Sequence, residues 1–249
     1  MSIQKDLSLK NRLIAGLAPH SRSALLEHSE LVELNLHAQL LVAGSMGEHA
    51  YFPIDSFASL TLKVDGQRDL EIALVGHEGM FNTTMVFGDP TSTLTSVVQG
   101  AGRALRIHRN ALRLRRAEDA GLRQVLLAYA GVVMRQTAQR TACMRYHSVP
   151  QRLARSLLMV RDRAYSSELF LTHESLALMV GARRETVSHA ASSFQQGGII
   201  SYTRGYMVLL DEAALALVSC PCYQTDLQSY SQLQHHPDAV APPAVQAFS

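Results

Sequence analysis

Residues 171–200 read L-T-H-E-S-L-A-L-M-V-G-A-R-R-E-T-V-S-H-A-A-S-S-F-Q-Q-G-G-I-I, and this stretch decides the fold of the C-terminal part of the chain. Thr172 supplies a hydroxyl that caps a helix, and Glu174 sits near the positive end of that helix. Leu176, Met179 and Val180 recur on its buried side, Ala177 permits close packing, and Gly181 ends it in a conformation open to glycine. A second helix begins at about Arg184, turns Val187, Ala190, Ala191 and Phe194 inward, and stops at Gly197-Gly198. Two short helices joined through a glycine turn are a helix-turn-helix. Residues 199–202 and 206–210 flank Thr203-Arg204-Gly205 as a small hairpin, so a wing follows the helices.

The outward side chains of the second helix carry the chemistry. Arginine offers a planar fork that matches the two acceptors of guanine, and glutamate accepts from the cytosine amino group. Arg184, Glu185 and His189 are therefore the expected base-reading residues. Arg183, Ser188, Thr172 and Arg204 are expected at phosphates, which fix position without reading sequence. Residues 145–204 hold eight arginines and no lysine against four acidic residues, a local excess of +4 in a chain whose net charge is only +2. The positive charge thus collects where a DNA surface is expected.

Upstream, the pattern changes twice. Residues 9–28 read as short helices, interrupted at Pro19. Short β-type runs follow at residues 31–36, 40–43, 57–64, 69–75, 94–99 and 104–107, punctuated by glycines and by the hairpin signal Asp65-Gly66. Many short strands at close spacing imply a sandwich, roll or barrel. Residues 117–143 then lack proline and place Leu122, Leu126, Tyr129, Val133, Gln136, Arg140 and Cys143 at alternating intervals of four and three. A long helix with this seam pairs with a copy of itself or packs on its own β domain; pairing through Leu122, Leu126, Tyr129 and Val133 is the expectation. Another helix is expected at residues 151–163, with Leu153, Leu157 and Val160 inward.

The 249 residues suit two domains, each with its own core, and 47% hydrophobic with 18% charged residues is ordinary globular composition. The longest apolar run, residues 125–134, is too short to span a bilayer, and no signal-peptide core opens the chain, so a cytoplasmic protein without membrane contact is expected. Three cysteines are too few for a disulfide framework. Cys220-Pro-Cys222 has the look of a redox or metal pair, but Cys143 is remote in sequence, so structural thiols and no metal or other cofactor are expected. His37, His49, His77 and His108 form no close-spaced ligand pair. A cupin-like metal enzyme built on Glu48 or Glu78 would want a His-x-His pair, which is missing, so no catalysis is expected.

The segment G-A-R-R-E-T-V-S-H, residues 181–189, resembles the recognition helix of the Crp/Fnr family of transcription regulators. The resemblance extends to G-x-x-x-x-A-Y-F-P around Tyr51, to A-L-V-G-H-E-G-M at residues 73–80 and to the C-x-C-Y ending at Tyr223. It implies an α+β chain with an N-terminal antiparallel β-roll, a long dimerisation helix and a C-terminal winged helix-turn-helix. The corresponding boundaries are 1–116, 117–145 and 146–223, with a flexible tail at 224–249. The implied partners are double-stranded operator DNA and a second copy of the chain, with RNA polymerase a further candidate. The family's Arg-Glu pair, which reads a G·C pair, matches Arg184 and Glu185; its next base-contacting arginine falls at His189, a shorter donor that alters the expected half-site.

Family β-rolls that bind cyclic nucleotides grip the ribose with a glycine-glutamate pair and the phosphate with an arginine followed by small residues. Here residues 79–93 read G-M-F-N-T-T-M-V-F-G-D-P-T-S-T, with Asn82 at about the glutamate position and no arginine between Arg68 and Arg103. Direct control by cyclic AMP is therefore not expected, although Arg68 and Arg103 lie on neighbouring strands. The effector stays unknown, with another ligand such as a cyclic dinucleotide, or a protein partner, as the alternative. Oxygen-sensing relatives carry an N-terminal cysteine cluster, and this N-terminal half has no cysteine.

Overall fold

The computed structural model describes residues 6–65 and 69–234. Gly66 of the expected hairpin turn, Arg68 and residues 235–249 of the expected tail lie outside the described residues. Two short helices, α1 (Arg12–Ala15) and α2 (Pro19–Glu27), lead into seven strands: β1 (Ser29–Leu34), β2 (Gln39–Leu41), β3 (His49–Pro53), β4 (Phe57–Leu62), β5 (Leu70–Val75), β6 (Thr95–Gly100) and β7 (Gly102–His108). They form two antiparallel sheets, ordered β1-β7-β3 and β2-β6-β4-β5. Leu34, Tyr51, Ala58, Leu60, Val75, Phe81, Val98 and Ala104 fill the interior. This is the expected roll, with β3 an addition to the sequence reading. Residues 50–53 are buried on both faces, so they carry no alternation to betray a strand.

Two helices follow where one was expected. Asp119 leaves helical geometry after α3 (Arg109–Glu118), and its carboxylate accepts from the Leu122 backbone N–H at 2.9 Å, capping α4 (Ala120–Tyr146). The seam on α4 faces its own β-roll: Leu122, Leu126 and Tyr129 are buried against Phe52, Ile54, Met80 and Leu105, with Val133 packed on the same cluster. Tyr129 donates to the Met80 carbonyl at 3.3 Å and lies over Gly79, where an added Cβ would clash with the phenol ring. Leu122, Leu126 and Tyr129, expected on an outward dimer seam, are thus spent on the chain's own roll, and Val133 is partly buried on it. The most apolar stripe of an amphipathic helix covers the nearest core first. A second stripe at heptad spacing, Leu127, Gly131, Met134 and Ala138, lies on another side of α4, and its large members are 45% (Leu127) and 66% (Met134) exposed.

The C-terminal half comprises α5 (Val149–Ala164), β8 (Glu168–Phe170), α6 (His173–Val180), α7 (Arg184–Gln196), β9 (Ile200–Thr203), β10 (Tyr206–Leu209) and α8 (Glu212–Val218). Ser148 and Gln151 form a capping box at the start of α5. Leu153, Leu157 and Val160 join Leu176, Val180, Val187, Phe194 and Met207 in one core, which also takes in Phe57 and Leu74 of the β-roll. Each half thus has apolar clusters of its own, and the C-terminal one extends onto the β-roll through these two residues.

The chain does not become a tail at residue 224. Helix α9 (Cys222–Gln234) packs on α4 and α5, burying Asp226 and Tyr230. Its polar composition hid it, because its inward polar groups find partners. Arg155 reaches Asp226 with Nε at 2.9 Å and Nη2 at 2.5 Å, and Tyr230 donates to Gln136 Oε1 at 2.8 Å. Among the described residues no helix is long and apolar enough to cross a membrane.

Candidate DNA interface and regulatory half

Helix α6 starts where the Thr172 hydroxyl accepts from the Ser175 backbone N–H at 3.1 Å, and it ends at Gly181 with φ +66°. The turn then delivers α7 with Val187, Ala190, Ala191 and Phe194 buried against α5 and α6. That inward face fixes the opposite one: Arg183, Arg184, Glu185, Thr186 and His189 are all exposed. No side-chain hydrogen bond or ion pair within the described residues engages Arg183, Arg184, Glu185 or His189. A helix presenting unpaired donors and an acceptor from its first two turns is built to meet polar groups outside the chain.

Ser188 behaves differently from the other expected DNA-contacting residues. Its hydroxyl lies 2.6 Å from His173 Nδ1, tying α7 to the first turn of α6. His173 in turn stacks on Tyr202 at 4.8 Å between ring centroids, and Tyr202 donates to the Leu171 carbonyl at 2.9 Å. Ser188 thus belongs to an internal brace joining both helices to the wing. Burial, and after it the nearby Arg184 guanidinium, lowers the pKa of His173, which favours the neutral ring. Thr172 is likewise committed to its cap, although it remains exposed.

The wing is β9 and β10, paired from Thr203↔Tyr206 to Ile200↔Leu209, with β8 added on the far side of β10. Its loop is only Arg204-Gly205, one residue shorter than the sequence suggested, and both residues have positive φ, 51° and 88°. Such paired values match the right-handed twist of a two-residue hairpin; glycine adopts them freely, while Arg204 accepts a cost of about 1–2 kcal/mol. The result holds an exposed guanidinium at the wing tip.

In the β-roll, Asn82 is 5% exposed in a left-handed conformation, and its amide donates to the His49 carbonyl at 2.5 Å. Met80, Phe81, Met85 and Val86 beside it are buried. Arg103 does not turn inward to this segment: it pairs with Asp55, Nε to Oδ2 at 2.9 Å. Arg116 of α3 does reach it, donating to the Met85 carbonyl.

A cleft of about 450 Å³ opens elsewhere, where the β-roll meets α5 and α9, lined in part by Arg12, His77, Glu78, Asp162, Tyr165 and Tyr230. Beneath it Arg163 Nη2 lies 2.7 Å from Glu78 Oε1, both side chains 4% exposed, and Arg163 also donates to the carbonyls of Leu74 (3.1 Å) and Met159 (2.9 Å). Burial drives the pKa of neighbouring His77 down to about 4, against the opposing pull of Glu78. A second buried pair, Arg140 with Glu71 at 3.4 Å, joins α4 to β5, and Arg140 also donates to the Met179 carbonyl of α6. Both arginines tie the helix-turn-helix half to the β-roll. Sequence reasoning missed these links, since a lone buried arginine carries no spacing signal.

Residues 151–218 match the Crp-like helix-turn-helix domain. The chain is 27% identical over 213 residues to the CRP-like cAMP-activated global transcriptional regulator of Mycobacterium tuberculosis, covering 82% of this chain and 94% of that protein. Its fold is similar to that of a CRP/FNR-family regulator from Thermus thermophilus (TM-score 0.65, 22% identity, 76% of this chain and 98% of the other). FixK2 from Bradyrhizobium japonicum is also similar (TM-score 0.63, 15% identity, 77% and 98%). So is the c-di-GMP responsive global regulator CLP from Xanthomonas campestris (TM-score 0.62, 17% identity, 77% and 99%). Residues 151–218 are thus a Crp-like helix-turn-helix domain, and along 82% of its length the chain is similar to a CRP-like transcriptional regulator.

Proposed function

We propose that this regulator acts as a homodimer that reads operator DNA through Arg184, Glu185 and His189, with Arg183 and Arg204 on phosphates. The observation that carries the reading is the unpaired, exposed Arg184-Glu185 pair in the first turn of α7, held in place by a buried opposite face. The dimer face is the Leu127-Gly131-Met134-Ala138 stripe, where glycine and alanine let two helices approach and Leu127 and Met134 supply apolar surface. Two-fold pairing sets two recognition helices about 34 Å apart for a near-palindromic site. RNA polymerase is the partner such a DNA-bound regulator addresses.

The β-roll does not take cyclic AMP as its direct effector, in contrast to what the name of the mycobacterial relative states for that protein. A neutral amide stands where the ribose-binding carboxylate is expected, with its Nδ2 on a backbone carbonyl, and the Arg103 guanidinium is held by Asp55 and so is not free for a phosphate. Another ligand class or a protein contact fills the regulatory role.

An operator library assayed by gel retardation tests the reading. Arg184→Ala is expected to relax preference at one base position by about 1–3 kcal/mol. Arg204→Ala is expected to weaken all sequences alike and to reduce the salt slope by about 1. Equal loss of base preference in both variants overturns the assignment. Repeating the assay with cyclic AMP is expected to leave affinity unchanged; a tenfold gain overturns the effector reading.

A further inference from the structure

The fold assembles four residues that the sequence keeps apart. Cys143 ends the last turns of α4, His147 follows as its C-cap, and Cys220 and Cys222 bracket Pro221 at the entry to α9. One potential ligand atom from each lies within 4.8 Å of every other. Cys143 Sγ is 3.5 Å from Cys220 Sγ, and Cys222 Sγ is 3.5 Å from His147 Nδ1. The three cysteine side chains form a cluster of their own, apart from the apolar cores, and each residue is at most 2% exposed.

The two 3.5 Å spacings match neighbouring ligands of a single tetrahedral ion, and the remaining ones, up to 4.8 Å, close by small side-chain rotations. Bonds of about 2.3 Å to sulfur and 2.0–2.1 Å to nitrogen place neighbouring ligand atoms on the order of 3.5–3.8 Å apart. Thiols alone are poor mutual partners, since S–H is a weak donor and sulfur a weak acceptor. Three of them converging on an imidazole are accounted for by an ion at the centre. The surroundings fit as well. Gln139 Nε2 donates to Cys222 Sγ at 3.0 Å, the kind of outer hydrogen bond that orients a thiolate. The buried Arg155 guanidinium, anchored by Asp226, bears favourably on negative charge at Cys143 and Cys220.

We propose that Cys143, His147, Cys220 and Cys222 bind one Zn²⁺ in a closed, structural Cys₃His site. Four protein ligands leave no open position for chemistry. The ion joins residues 143–147 to residues 220–222, the two ends of the segment holding α5 through α8, and so pins the helix-turn-helix half where it leaves α4. Thiolates are the ligands, so loading releases protons and affinity weakens with acid.

The test uses the full-length protein, purified under reducing conditions and stripped with a chelator. Titration with Zn²⁺ is expected to reach one equivalent per chain and to raise the thermal midpoint. Titration with Co²⁺ is expected to give the charge-transfer and d–d absorption of a tetrahedral cobalt–thiolate centre. Cys222→Ser and His147→Ala, folded by circular dichroism, are expected to weaken metal binding at least tenfold and to lose the zinc-dependent thermal shift. If both variants fail to fold, the wild-type cobalt spectrum and stoichiometry decide alone. Absence of that spectrum in reduced protein overturns the proposal, as does unchanged metal affinity in a folded variant. Acid-labile sulfide in the isolated protein, or a Cys143–Cys220 disulfide that persists under reductant, overturns it too.

Discussion

Replacing Arg163 by methionine tests how firmly the helix-turn-helix half is tied to the β-roll. Methionine keeps the apolar stem and removes the charge. Glu78 would retain the Gly76 backbone N–H at 3.1 Å, while the Tyr230 hydroxyl proton stays on Gln136, and it would lose the Arg163 guanidinium 2.7 Å away. With both side chains 4% exposed, solvent cannot replace that partner. Breaking a buried pair from one side costs about 3–5 kcal/mol. The reverse change, Glu78→Gln, leaves Arg163 on the carbonyls of Leu74 and Met159, so it costs less, about 1–3 kcal/mol. The double variant is expected to be more stable than the summed single effects by about 2 kcal/mol, because no unpaired charge remains. Urea unfolding followed by far-ultraviolet circular dichroism reads this directly, and for a slope of about 2–3 kcal/mol/M the Arg163→Met midpoint falls by about 1–2.5 M. Single-variant effects that add within about 0.5 kcal/mol refute the coupling, and an Arg163→Met cost below about 1 kcal/mol refutes the inferred burial.

Charged substitutions at the exposed stripe of α4, Leu127→Arg with Met134→Glu, are expected to give folded monomers in sedimentation; an unchanged dimer removes α4 as the principal interface. His77 supplies a pH dependence. Its pKa falls from 6.5 to about 4 on folding, first through burial and then through Arg12 and Arg163, with Glu78 and Asp162 opposing. A lowered histidine pKa means that stability is complete above pH 6.5 and is lost as pH falls toward 4, by about 3 kcal/mol in total. His77→Leu is expected to flatten that part of the urea midpoint profile between pH 7 and pH 4.5; an unaltered profile refutes it.

Local chemistry determined much of this protein before any folding. The Thr172 cap, the Gly181 turn and the inward spacing of Val187, Ala190, Ala191 and Phe194 are written within thirty consecutive residues, and the structure keeps each in its expected place. Arg184 and Glu185 follow as exposed residues because their neighbours are buried. Most strands of the roll were legible as short β-type runs, β4 included although it is buried on both faces; β3, five residues closed by Pro53, was not. What tertiary structure alone decided is which surface each element uses. The heptad on α4 is compatible with a partner helix or with the chain's own β-roll, and the choice fell to the roll because tethered apolar surface needs no second molecule to cover it. Helix α9 reads as polar tail until Arg155 and Gln136 are brought to Asp226 and Tyr230. Ser188 looks free for phosphate until His173 arrives beside it. Cys143 is 77 residues from Cys220 along the chain and 3.5 Å away in space, a proximity set by the packing of α9 on α4 and not by any spacing in the sequence.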